Sequence, residues 1–226
     1  MRIISILLFG IVASAQALAL DLGSLSNADA TGGLKDALTQ GSAVAIGKLG
    51  VENGFLGNDK VKIPLPDAIR RVESGLRLLG MQRQADELVV AMNRAAEQAV
   101  PEAKALLTGA IKNMSVQDAK GILTGGDDSV TMFFREKTAG PLAVKFLPIV
   151  KRSTDRLGLA QKYNQLVGQL SRLGLITGDA ANIETYVTNK TLDGLYLMIG
   201  EEEHAIRQNP AAAGSAIVSR VFSALQ

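Results

Sequence analysis

Along most of the chain the apolar positions recur at the spacing of a helix buried on one side, and these stretches end on a repeated mark. Leu49-Gly50-Val51, Leu79-Gly80-Met81, Leu157-Gly158-Leu159 and Leu173-Gly174-Leu175 all read Leu-Gly-apolar, each with a cation nearby (Lys48, Arg77, Arg156, Arg172). A glycine just past a helix takes the left-handed conformation without a Cβ clash. The apolar residue after it packs back on the last turn, and the cation complements the carbonyl end of the helix dipole. Runs of β-branched residues are short, and no alternating apolar–polar segment stands out. The pattern predicts an all-α globular bundle of about eight to ten helices.

The first helix is capped by Ser26 or Asn27 and runs to about Leu49. Asn53 to Pro66 is a connector, because Ile63-Pro64-Leu65-Pro66 cannot be helical throughout. Asp67 caps a helix ending at Leu79. A long helix follows from Gln82 to about Ala99, and another starts at Pro101, a residue suited to a first turn. Ser115-Val116-Gln117-Asp118 resembles a capping box with Asp in place of Glu. Thr124-Gly125-Gly126 breaks that helix, and Asp127 or Asp128 restarts one. Pro141 and Pro148 are expected to interrupt the stretch leading to Arg156. Helices then run from about Ala160 to Leu173 and from Asn182 to Arg207, and a final one reaches Ala224. The elbow at Leu79 to Val89 aligns without gaps to that at Leu157 to Val167, which two hairpins with the same stop chemistry explain better than a duplication.

The one long apolar run is at the start. Arg2 precedes Ile3 to Val12, and Ala15-Gln16-Ala17 and Ala17-Leu18-Ala19 are small-x-small cleavage sites. This is the layout of a secretory signal peptide over 1–19, too short for a spanning helix. A mature chain from about Leu20 is expected to be one all-α domain over 20–226, periplasmic or secreted from a bacterium, with no transmembrane segment once the signal is removed. The chain has no cysteine, so there are no disulfides, no thiolate nucleophile and no lipidated thiol. A net charge of +2 argues against a nucleic-acid binder, and an aromatic content of 4% without Trp supplies few stacking platforms.

Candidate chemistry is sparse, and neither a cofactor nor a metal is expected. His204 is the only histidine; with Glu201 it forms a Glu-x-x-His pair, but a di-iron site needs a second such pair. Gly41 to Lys48 has the wrong spacing for a phosphate loop and Leu49 where Ser or Thr is required. The Gly125-Gly126-Asp127-Asp128 loop would repel phosphate. Arg71-Val72-Glu73-Ser74-Gly75 is superficially similar to the catalytic segment of lytic transglycosylases, so the alternative to a binding role is a peptidoglycan-acting enzyme with Glu73 as general acid. That role needs an apolar pocket that raises the carboxyl pKa. No catalytic residue is assigned.

Binding candidates rest on polar groups that would demand partners if buried. Asn93, Arg94 and Glu97 cluster on the helix from Gln82. Tyr186, Lys190, Asp193 and Tyr196 lie at helical spacing on the helix from Asn182, where Gly194 and Gly200 leave room for a close approach. The two helices are expected to pack around a polar patch. Residues 135–172 carry eight cations against Glu136 and Asp155, whereas Asp179 to Glu203 is acidic apart from Lys190. Lys151 and Arg152 in the basic segment would complement those acids. The two segments either face each other or are solvated, or the basic one meets an anionic envelope component or an envelope protein.

Leu25-Ser26-Asn27-Ala28-Asp29-Ala30, Val61 to Pro66, Met92 to Glu97, Asp118 to Asp127 and Lys145 to Val150 resemble a bacterial family of unknown function, the one numbered 4197. The resemblance covers the whole mature chain and implies an exported helical protein. The family has no assigned activity, so no catalytic residue is transferred. A non-catalytic binding or interaction protein of the cell envelope is the expected function.

Overall fold

The structure, a computed structural model, describes residues 27–156, 158–175 and 182–209. The signal segment, the start at Leu20 and the final helix to Ala224 lie outside them. The described residues are helical without a strand: α1 (Asn27–Leu49), α2 (Asp67–Arg70), α3 (Glu73–Leu78), α4 (Gln82–Ala99), α5 (Ala103–Lys112), α6 (Val116–Thr124), α7 (Ser129–Arg156), α8 (Leu159–Arg172) and α9 (Ile183–Gln208). Seven of these have nine residues or more, fewer than the eight to ten helices expected.

Two differences lower the count. The helix expected from Asp67 to Leu79 is two short pieces, because the Val72 N–H donates to the Ile69 carbonyl three residues back and breaks the ladder. The interruptions expected at Pro141 and Pro148 do not occur; α7 is continuous through both. The prolines are seven residues apart on the solvent side, so the carbonyls they strand, those of the exposed Lys137 and Val144, are open to water. The opposite side buries Phe134, Leu142, Phe146 and Val150, and that packing holds the helix across the gaps.

The helix stops follow the sequence at three of four places. Gly80, Gly158 and Gly174 are left-handed. Met81 and Leu175 return N–H groups to the carbonyls of Leu76 and Leu170, six-residue closures of the Schellman type. At Leu49 the positive φ falls on Asn53 instead, and Gly50 serves a close approach: a Cβ there would stand 2.9 Å from Pro101. Both halves of the Ser115–Asp118 capping box are made, and the two hydrogen bonds from Ser115 hold the Asp118 carboxyl below its usual range.

α7 and α9 form the central pair. Thr131 lies beside Gly200 and Arg135 beside Asp193, so they run antiparallel. α4 packs across both, α1 flanks α9 and α5, and α8 leans on α4. Tyr196 is buried at the centre; its hydroxyl donates to Thr138 Oγ1 at 2.8 Å, because Thr138 already donates to the Phe134 carbonyl. A buried carboxylate from α9, Glu203, accepts from the backbone N–H groups of Val130 and Thr131 at 3.0 and 3.1 Å. It thereby caps α7 from outside that helix and neutralises the positive end of a 28-residue dipole.

Candidate functional site

The connector between α1 and α2 is laid out as extended chain over its last residues, and it is held from the inside. Asn93 Oδ1 accepts from the Ile63 N–H at 2.8 Å, and Asn93 Nδ2 donates to the Ile63 carbonyl at 2.9 Å. One amide thus replaces the strand partner that an isolated extended residue lacks. Glu97 Oε1 accepts from the N–H groups of Phe55 and Leu56, both at 3.1 Å. Arg94 donates to Glu97 at 2.6 Å and to Asn53 Oδ1 at 2.9 Å. From α9, the Tyr186 hydroxyl donates to the Pro64 carbonyl at 3.0 Å. α4 and α9 do pack together, and their polar groups meet on the connector rather than on each other.

The outward side of the connector forms one wall of a groove of about 510 Å³. The floor is α9 from Lys190 to His204, and the opposite wall is the start of α7 with Asp128, Thr131 and Arg135. Lys60 and Lys62 project from the connector. They are exposed while Val61, Ile63 and Leu65 are buried. The short alternation at 60–65 is therefore real, although no such segment stood out in the sequence beside the helix-breaking prolines. Gly194 and Gly200 both serve close approaches. A Cβ at Gly194 would stand 2.7 Å from Phe55, and one at Gly200 3.1 Å from Thr131.

Charge in the groove is paired unevenly. Lys60 pairs with Glu201, and His204 faces Asp128 at 3.5 Å. Glu201 and His204 are thus turned to different partners. Arg135 reaches Asp193 at 3.5 Å while stacking over the Tyr196 ring at 4.8 Å, and Lys190 stands 4.0 Å from the same carboxylate. Burial raises the pKa of the Tyr196 hydroxyl, as it does for Tyr163 and Tyr186, so the phenol beneath Arg135 keeps its proton at physiological pH.

Of the residues singled out in sequence, Lys190 and Asp193 line the groove. Asn93, Arg94, Glu97 and Tyr186 clamp the connector that walls it. Lys151 and Arg152 are exposed on α7, sixteen residues beyond Arg135 in the case of Lys151, which is about 24 Å along the helix. The acids of α9 are answered mainly from elsewhere: Glu202 by Lys48 at 2.6 Å, Glu201 by Lys60 and Glu203 by Arg207. Between the basic and acidic segments only Arg135–Asp193 pairs among the described residues, and Asp179 lies outside them. The side chain of Glu73 also lies outside them. No group of three or more His, Asp or Glu among the described residues converges as a metal site. No helix among them is long and apolar enough to cross a membrane.

Comparison with curated proteins gives no match, and comparison with solved structures gives none. A family model described as Protein of unknown function (DUF4197) matches residues 24–223, nearly the whole chain, and the chain belongs to that family.

Proposed function

We propose that this is a non-catalytic binding protein of the bacterial cell envelope and that the groove between the connector, α7 and α9 is its ligand site. The observation that carries the reading is the state of the groove's charged groups. Arg135 and Lys190 share the single carboxylate of Asp193 at 3.5 and 4.0 Å, and Lys62 has no ion-pair partner among the described residues. They stand over a floor that is apolar around Leu197, 45% exposed despite its size. Small-molecule sites combine such apolar surface with a few convergent polar groups. The acids and the histidine face cations or each other rather than forming a base poised beside a nucleophile. Export is supported by the segment 1–19. Partners in that compartment would be an anionic envelope component or an envelope protein.

Thermal shifts of the protein against anionic metabolites and cell-wall fragments test the reading. A shift that Lys62→Glu with Lys190→Glu abolishes is the expected result. Amino-terminal sequencing of exported protein should begin at Leu20 or Leu18, and an intact Met1 would remove the envelope assignment. Muropeptide release from purified sacculi, lost in Glu73→Gln, would establish the enzymatic alternative in its place.

A further inference from the structure

We infer that the groove is shaped for one elongated zwitterion, a short free peptide in extended conformation. The inference rests on the binding reading above and concerns what fills the site. Its charge is polarised along α9. At the Lys190 end, three cations (Lys62, Arg135 and Lys190) face one carboxylate, Asp193. At the other end, Asp128 and Glu201 accompany Lys60 and His204, so the balance there is negative when the histidine is neutral. Between the two ends the floor is Gly194, Leu197 and Gly200 with the buried ring of Tyr196, and none of these four side chains is charged.

Length selects the ligand. Asp193 and Glu201 are eight residues apart on α9, about 12 Å at 1.5 Å per residue. Four residues of extended peptide span about 13 Å. A carboxylate terminus would sit among Lys62, Arg135 and Lys190, an ammonium terminus between Asp128 and Glu201, and an apolar side chain over Leu197. A lone small anion would occupy only the cationic end and leave Leu197 bare. A polymer or membrane surface would meet the rim without filling the concavity. Neither uses the acids at the far end. The glycines contribute in a second way: because Phe55 and Thr131 already abut them, the floor cannot be raised by side chains there without displacing a wall.

The test is calorimetric titration of the full-length mature protein at low ionic strength, where exposed charges are least screened. The probe is the tetrapeptide Ala-Leu-Leu-Ala with free termini, beside its amino-acetylated form, its carboxyl-amidated form and free glutamate. Saturable binding is expected, weakened about tenfold by either cap, the loss typical of one charge-assisted contact. Lys62→Ala with Lys190→Ala should erase the effect of amidation and leave that of acetylation. Asp128→Asn with Glu201→Gln should do the converse. All four side chains lie on the groove wall or floor outside the buried core, so unchanged ellipticity and melting temperature serve as the folding control. Capping without effect, or glutamate binding as tightly as the peptide, overturns the zwitterion and leaves a small-anion site standing. If neither peptide nor glutamate nor any ligand in the thermal-shift panel binds, the binding reading falls with it.

Discussion

The connector from Gly50 to Pro66 has two sides built from similar residues that behave differently. On the inside, Glu97 is a carboxylate only 5% exposed that accepts two backbone N–H groups and an arginine. On the outside, Glu201 has a side chain 34% exposed and one lysine partner. Asn93 and Lys62 make the same contrast, for one is buried with three hydrogen bonds and the other stands in solvent without an ion pair among the described residues. Burial, not residue type, separates a group that holds the fold from one available to a ligand. A satisfied buried group is expensive to disturb, and an exposed pair contributes little to stability and is free to exchange partners.

The largest effect should come from the inner side. Asn93→Ala would leave the Ile63 N–H and carbonyl buried without partners, at about 1–3 kcal/mol for each unsatisfied group. We expect a loss of about 3 kcal/mol in urea denaturation. A loss below about 1 kcal/mol would mean that the connector is not clamped and would break the comparison at its inner face. Arg94→Ala should lower the melting temperature too, and should leave ligand-induced shifts intact, because Arg94 binds the connector and does not line the groove.

Legibility divides along the same line. Asn93, Arg94 and Glu97 stood out because polar groups interrupt an apolar face, and the need for partners followed from that. Their partner did not, since periodicity shows that a residue points inward without showing which distant segment arrives opposite it. The prolines mark the connector as non-helical, while the alternation of Lys60 to Leu65 spans only six residues, too few to stand out as a period. Stops at Gly80, Gly158 and Gly174 were readable because a helix end is closed by its own neighbours. The capping of α7 by Glu203 was not, because the cap comes from a residue 73 positions away. Proline breaks the helix in the connector and does not break α7. There the buried face on the opposite side outweighs two missing hydrogen bonds open to water.

Gly194 lies under both sides of the connector, and its substitution sharpens the comparison. A Cβ at 2.7 Å from the Phe55 ring forces the connector outward, so Gly194→Ala should destabilise by about 2 kcal/mol and narrow the groove together. The matched control is Gly168→Ala in α8, where a Cβ meets nothing within 4 Å. Helix propensity alone should then stabilise by up to about 1 kcal/mol. Equal effects of the two substitutions in thermal melts would show that the close approach at Phe55 is not tight.

Tyr186 ties α9 to the connector at its edge, with an intermediate effect. Tyr186→Phe removes the donor to the Pro64 carbonyl and should lose about 1 kcal/mol. Its ionisation gives a second reading. Burial first, then the Asp67 carboxylate, raises the phenolic pKa, and burial raises those of Tyr163 and Tyr196 as well. A pKa higher in the folded state means that the folded protein resists losing the proton. The stabilisation is therefore complete below the ordinary phenolic range near 10 and is lost as pH rises through the folded-state values. These are the only three tyrosines, and there is no tryptophan to obscure them. Phenolate absorbance should lag behind free tyrosine in an alkaline titration and rise with the loss of ellipticity. Tyr186→Phe should flatten that pH dependence.

The smallest effect on stability belongs to the outer side. Lys60→Ala removes an ion pair whose lysine side chain is 65% exposed, and Lys62→Ala removes no ion pair at all among the described residues. Exposed pairs contribute about 0–1 kcal/mol, and water replaces most of what is lost. Each variant should stay within about 0.5 kcal/mol of the parent in urea denaturation. Ligand titrations should separate them. Lys62 stands at the cationic end without an ion pair among the described residues, so its loss should weaken an anionic probe. Lys60 is spoken for by Glu201, and its loss frees that carboxylate to receive a cationic one. A stability loss of 2 kcal/mol or more in either variant, on the scale of a buried unsatisfied group, would place the outer lysines in the fold with Asn93. The contrast between the two sides of the connector would then disappear, and with it the reason to read the groove as open to a ligand.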